Sequence, residues 1–117
     1  VKLGAIYRRD ECLVPRVWHA VSLWETTRGL LGRPALHGDE GMLIHDCRLV
    51  HTVGMRYALD LAFLDRAGKV RKLVSKLAPL RMAGSFAACA TLELAPGTLA
   101  RIGLQEGEHL TWREVAA

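Results

Sequence analysis

The sequence predicts a mostly-β fold of the α+β kind: a small jelly-roll-like β-sandwich or barrel with one prominent helix near its start. Three observations predict it. Short apolar or alternating runs recur between Gly, Pro and Asp breakers, as in chains built from many short strands. Residues 58–64, ALDLAFL, form a nearly unbroken apolar run of strand length, which reads as a buried strand. One strong helix signal, the capping box formed by Ser22 and Glu25, stands alone in the chain.

The chain has 117 residues, enough for one domain with one core, so residues 1–117 are expected to fold as a single domain. Half of them are hydrophobic and 24% are charged, the balance of a globular protein in water. No apolar run approaches the roughly 20 residues that a membrane-spanning helix needs, and no membrane insertion is expected. The opening residues, VKLGAIYRRDE, lack the long apolar segment of a secretory signal. Since the sequence starts at Val1, both a cytoplasmic home and an extracytoplasmic one after loss of an export signal stay open.

Along the chain, residues 5–8 are a short strand candidate and 9–11 a polar break. Residues 14–21 form a second strand, with Pro15 near its start, where an edge tolerates it. The capping box starts a helix over about 22–32, with Leu23, Thr27, Leu30 and Leu31 on one side. Gly32 and Pro34 stop it. Residues 35–40 are loop, 42–45 a strand, and 50–57 an ambiguous stretch split by Gly54. After the strand at 58–64, residues 65–68 (DRAG) make a tight turn in which Gly68 supplies positive φ, and 69–77 return as a hairpin partner. Residues 79–85 read as an irregular connection. Residues 86–94 alternate, with Phe86, Ala88, Ala90, Leu92 and Leu94 on one face and Cys89, Thr91 and Glu93 on the other. A helical turn spans about 96–102, and the last strand covers 108–113.

The net charge is +4, and Arg supplies 12 of the 16 cations. Apart from the neighbours Arg8-Arg9 and Arg71-Lys72 the cations are scattered singly, and the seven aromatics do not interleave with them as a stacking platform for nucleic acid requires. A solvated basic surface is the expectation, with no nucleic-acid partner. Three cysteines, Cys12, Cys47 and Cys89, lack any CxxC pairing. That is not a disulfide framework, although a Cys47–Cys89 bridge would form if the fold joined them.

Several motifs taken together resemble the domain of unknown function 192 family. They are RGLLGR at 28–33, GMLI at 41–44, HTVGMRYALDLAFLD at 51–65, LELAPGT at 92–98 and GLQEGEHL at 103–110. The resemblance spans about 22–110. It implies a small, single-domain, β-rich fold of the jelly-roll or barrel sort with one helix near the start, found in bacterial and archaeal proteins. It implies no assigned activity. Relatives with export signals keep an extracytoplasmic compartment in view.

The chemistry-bearing residues crowd into 47–60. A Cys, a His, an Arg and an Asp beside a buried strand cost free energy unless they pair or serve a ligand. His51, Thr52, Arg56, Asp60 and, from the irregular connection, Arg81 are the candidate ligand-binding residues. Guanidinium suits carboxylate or phosphate because its planar fork donates two parallel hydrogen bonds. The bland alternative is an ion pair of these arginines with Asp60 or Glu93. A lone carboxylate in a core strand is neutralised by an Arg or by backbone donors, and for Asp60 that structural role is favoured. Cys47 is a candidate reactive thiol, with His51 as base and Asp60 orienting the imidazole. However, nothing after Cys47 marks the strained elbow or helix N-terminus that lowers a thiol pKa. His45, Cys47 and His51 match no zinc spacing, so neither metal nor cofactor is expected. The leading expectation is a non-catalytic module that binds a small polar or anionic ligand at the HT-x-x-MR segment. The alternatives are a hydrolytic or thiol-based enzyme using Cys47, His51 and Asp60, and a structural or interaction domain.

Overall fold

The computed structural model describes residues 2–20, 36–51 and 56–115. In chain order these residues form β1 (Lys2–Arg8), β2 (Glu11–Ala20), β3 (Glu40–His45), β4 (Leu49–His51), β5 (Leu59–Leu64), β6 (Val70–Leu77), β7 (Met82–Gly84), β8 (Ala90–Leu94), α1 (Thr98–Ile102) and β9 (Thr111–Glu114). Seven strands make one mixed sheet in the order β6-β5-β8-β3-β2-β1-β9, and β4 with β7 makes a separate two-stranded ribbon. Every pairing in the large sheet is antiparallel except β2 with β3. Parallel neighbours need a crossover connection, which here runs through residues 21–39. The helix expected over 22–32 lies outside the described residues.

The mostly-β class agrees with the expectation, but the sheet does not close into a barrel and the strands divide seven and two. The two ends of the large sheet nevertheless meet. Ahead of β9, Leu110 N–H donates to Gly68 O at 2.9 Å, and Val70 N–H donates to Glu108 O at 2.8 Å. This ties the β5–β6 turn at one edge to the strand at the other. Gly68 has φ +84°, and a Cβ there would run into Leu110 O, so the turn needs glycine for its backbone and for this close approach. The expectation of positive φ at Gly68 is met.

Both faces of the sheet are covered, because β5 and β8 are buried along their whole length. One face packs Ile6, Val14, Val17, Leu43, Leu92 and Leu94 against Leu99 of α1 and Leu104 and Leu110 of the following loop. The other packs Met42, Ile44, Leu61 and Phe63 against Val50 of β4 and Ala83 of β7. Thus the ribbon lies over the second face and α1 over the first. Burial on both sides is why residues 58–64 lack alternation.

Three local expectations change. β2 begins at Glu11, not 14, because Arg9 turns the chain with φ 58°, and the Arg8 guanidinium holds Glu11 and Glu108 at 3.1 and 3.2 Å. Pro15 then falls inside β2, at the register shift opposite β1, where no ladder bond requires its missing N–H. The alternation over 86–94 overstates β8, which starts at Ala90 because its neighbours end there, at His45 and Leu64. Phe86 is fully exposed, and Ala88 joins the face opposite Leu92. Finally, part of the irregular connection is a strand, β7.

Candidate functional site

Asp60 sits at the centre of β5 and is completely buried. Its partners are backbone donors, not an arginine. Lys76 N–H donates to Oδ1 at 2.8 Å and Leu99 N–H donates to Oδ2 at 2.9 Å. Lys76 has φ 53° and lies at the irregularity where β6 shifts register against β5 between Leu59 and Leu61. The carboxylate therefore serves two groups that regular structure leaves over: an amide at a strand irregularity and one in the first turn of α1, whose own cap residue offers no side-chain bond. Both are orphan donors of the kind that must be satisfied when buried. Asp60 shares the α1 face of the sheet, being paired with Leu94, and takes no part in a cluster with His51 and Arg56.

His51 ends β4 and is exposed; it pairs directly with Met82 of β7. Arg81, the residue before Met82, is exposed as well, and its guanidinium reaches Leu80 O at 3.2 Å. The ribbon thus brings together two candidates that lie thirty positions apart. Arg56 is exposed and makes no ion pair among the described residues. Thr52 lies outside the described residues.

Cys47 is half-buried. Its thiol donates to Leu49 O at 3.4 Å, and its carbonyl accepts the Thr91 hydroxyl at 2.8 Å. Burial pushes the thiol pKa up, Thr91 opposes this in part, and the Glu93 carboxyl adds a smaller rise against the bond to Leu49 O. A nucleophilic cysteine needs the reverse. Asp60 lies on the α1 face of the sheet, opposite the face that β4 covers, and so does not orient the His51 imidazole. Cys47 and Cys89 are both free thiols, although Asp46 N–H bonds Cys89 O at 2.8 Å and so brings their backbones close.

Sequence reasoning named Glu93 only as an ion-pair partner for Arg56 or Arg81 and not as a site residue. It lies in β8 at 5% exposure, and its Oε2 has no hydrogen-bond partner among the described residues. Burial alone pushes its pKa up to about 7. Tyr57, half-buried, is raised by its own burial and by the nearby Glu93. The signal that would have found it was present: a carboxylate alternating with Leu92 and Leu94 in a strand expected to be buried.

Two of the clefts in the described part of the chain are as follows. One of about 850 Å³ lies at Arg8, Asp10, Glu108 and His109, where the guanidinium and carboxylates of Arg8, Glu11 and Glu108 are spent on one another. One of about 410 Å³ lies at His45, Asp46, Arg48, Arg66 and Cys89. Neither contains a predicted site residue. Among the described residues no group of three or more His, Cys, Asp or Glu could hold a metal ion.

The family model DUF192, described as an uncharacterized ACR, matches residues 6–112. The chain belongs to the DUF192 family. Among curated proteins none matches this DUF192 chain. It is similar to a crystal structure of a protein of unknown function from Novosphingobium aromaticivorans, with TM-score 0.79 and 22% identity, covering 94% of this chain and 84% of the other. It is also similar to that of a candidate transcription regulator from Sinorhizobium meliloti, with TM-score 0.78 and 23% identity, covering 95% and 92%. At these identities the likeness shows the DUF192 fold alone.

Proposed function

We propose that this DUF192 protein is a non-catalytic binding module for a small polar or anionic ligand, held at the end of the β4–β7 ribbon by His51, Arg81 and Arg56. The observation that supports it is the pairing of His51 with Met82, which brings the backbone of Arg81, the residue before Met82, close to that of His51. Arg56 follows His51 by five residues and is not consumed by Asp60, whose oxygens are occupied by Lys76 and Leu99. Guanidinium groups recognise carboxylate and phosphate through paired donors. The reading is non-catalytic because Cys47 is raised in pKa by burial and because Asp60 lies on the α1 face of the sheet, away from the ribbon that carries His51.

Thermal shift with inorganic phosphate, malonate and gluconate tests this. At least one should raise the melting temperature of the wild type, and Arg56→Lys and His51→Ala should each reduce that rise. Lys keeps the charge but loses the planar fork. The reading fails if none of the three anions stabilises the wild type, or if the one that does stabilises both variants equally.

A further inference from the structure

The β4–β7 ribbon carries apolar side chains on the face turned away from the sheet. Val50 and Ala83, directly paired, face inward and join the core. Alternation therefore turns Leu49 and Met82 outward, where they are 57% and 65% exposed. The turns at the two ends of β7 add Leu80, at 69%, and Phe86, at 100%. Among the described residues five large hydrophobic side chains are exposed, and these are four of them; the fifth, Val115, follows β9. Apolar side chains exposed singly need no explanation, but four on one short ribbon do.

Charge accompanies them. Two cationic heads are pinned to the backbone on either side of Phe86. The Lys72 ammonium donates to Gly84 O at 2.8 Å, and the Arg48 Nε–H donates to Ala88 O at 3.1 Å. Each bond uses one N–H of several on its head. The surrounding chain is free of acids: residues 47–59 hold two cations and no Asp or Glu, and residues 66–92 hold six cations and no Asp or Glu. Asp46 and Asp65 share a cleft with Arg48, but Asp65 already accepts two amides of its own turn.

We propose that this face docks on an anionic lipid bilayer, with Phe86 and Leu80 entering the interface and Arg48 and Lys72 bonding lipid phosphates. The shape favours a bilayer over a protein. Leu80 and Phe86 stand on turns and project, so a protein partner would need a matching pocket for each. The interfacial layer of a bilayer accepts apolar side chains at any lateral position. Anionic headgroups supply the charge opposite to Arg48 and Lys72. The contact is peripheral and needs no spanning segment. It does not rest on the ribbon-end reading, because these four residues are not those assigned to the small ligand there.

The test is sedimentation of the full chain with vesicles of phosphatidylcholine alone and of an equal mixture of phosphatidylcholine and phosphatidylglycerol. The chain should bind the mixed vesicles, leave the neutral ones unbound, and bind less as salt is raised. Phe86→Ser should lower the partition coefficient about tenfold, the loss of one apolar side chain from the interface. Arg48→Gln with Lys72→Gln should lower it by at least about as much, and Val115→Ser should not change it. All these positions are exposed, and Leu80→Ser gives a second reading of the apolar contribution should Phe86→Ser fail to fold. No binding to the mixed vesicles, or equal binding to both kinds, overturns the inference. So does equal binding by wild type and Phe86→Ser, which means adsorption by charge alone. Binding to poly-L-glutamate without binding to vesicles assigns the face to an acidic protein, and a dimer that Phe86→Ser dissolves assigns it to a second copy; either overturns the inference. Melting-temperature shifts with dissolved anions should be equal in wild type and Phe86→Ser, so the ribbon-end reading and this one fail separately.

Discussion

The Asp60 carboxylate accepts the Leu99 N–H at 2.9 Å, joining the middle of β5 to the first turn of α1 across 39 positions of sequence. The same side chain accepts Lys76 N–H at 2.8 Å. One acid therefore organises a strand irregularity and a helix start on one face of the sheet.

Asp60→Ala should destabilise the protein by roughly 2–5 kcal/mol, since it leaves two backbone donors without an acceptor and opens space in the core. Asp60→Asn should cost less, because its carbonyl oxygen still accepts one of them. Urea unfolding measures both. A midpoint for Asp60→Ala equal to that of the wild type would remove Asp60 from this role.

Glu93 should make stability depend on pH in a defined direction. Burial raises its pKa from 4.5 to about 7 in the folded chain, so the folded state holds this proton more tightly than the unfolded state. Stability should therefore fall as pH rises from about 4.5 to about 7 and be unaffected by this group outside that window. The fall is on the order of 3 kcal/mol. Other carboxyl groups cancel when wild type is compared with Glu93→Gln, which lacks the titration. The difference between the two unfolding free energies should thus change across that window; a constant difference contradicts the burial of an unpaired acid.

Arg56→Lys and His51→Ala should leave the unfolding midpoint within about 0.5 kcal/mol of wild type, as expected for exposed positions outside any buried pair. A loss of stability in both together would show that they hold the fold. That result would count against the ribbon-end site.

Gly68→Ala should destabilise by about 1–3 kcal/mol, through a side chain forced at φ +84° into Leu110 O. The loss should be local at first. Hydrogen exchange at the Leu110 and Val70 amides, which bond Gly68 O and Glu108 O, should quicken more than exchange in β8. Equal protection in wild type and variant would mean that the two sheet edges do not depend on this contact.

Much of the β framework was legible from local chemistry. The hairpin over 58–77 follows from an apolar run, a DRAG turn and a return segment; its strands are β5 and β6, with Gly68 at positive φ. The short helix after Pro96 is α1, at Thr98–Ile102. The site was only half legible. Residue types marked His51, Arg56 and Arg81 as unusual. Period-2 alternation placed Thr91 and Glu93 on a common face without saying what lies opposite.

The sequence by itself determined the strand-rich class, the β5–β6 turn and the set of polar residues that needed explaining, because propensity, turn geometry and alternation act within a few residues. Only the tertiary structure decided the partners. The parallel β2–β3 pair, the pairing of His51 with Met82 beside Arg81, the two amides that bond Asp60 and the apolar Met42 and Leu61 across from Glu93 all depend on register between distant segments. Register is set by how whole faces bury against one another. A carboxylate's role then follows from its neighbours: backbone donors stand within reach of Asp60, and only hydrocarbon and sulfur stand across from Glu93.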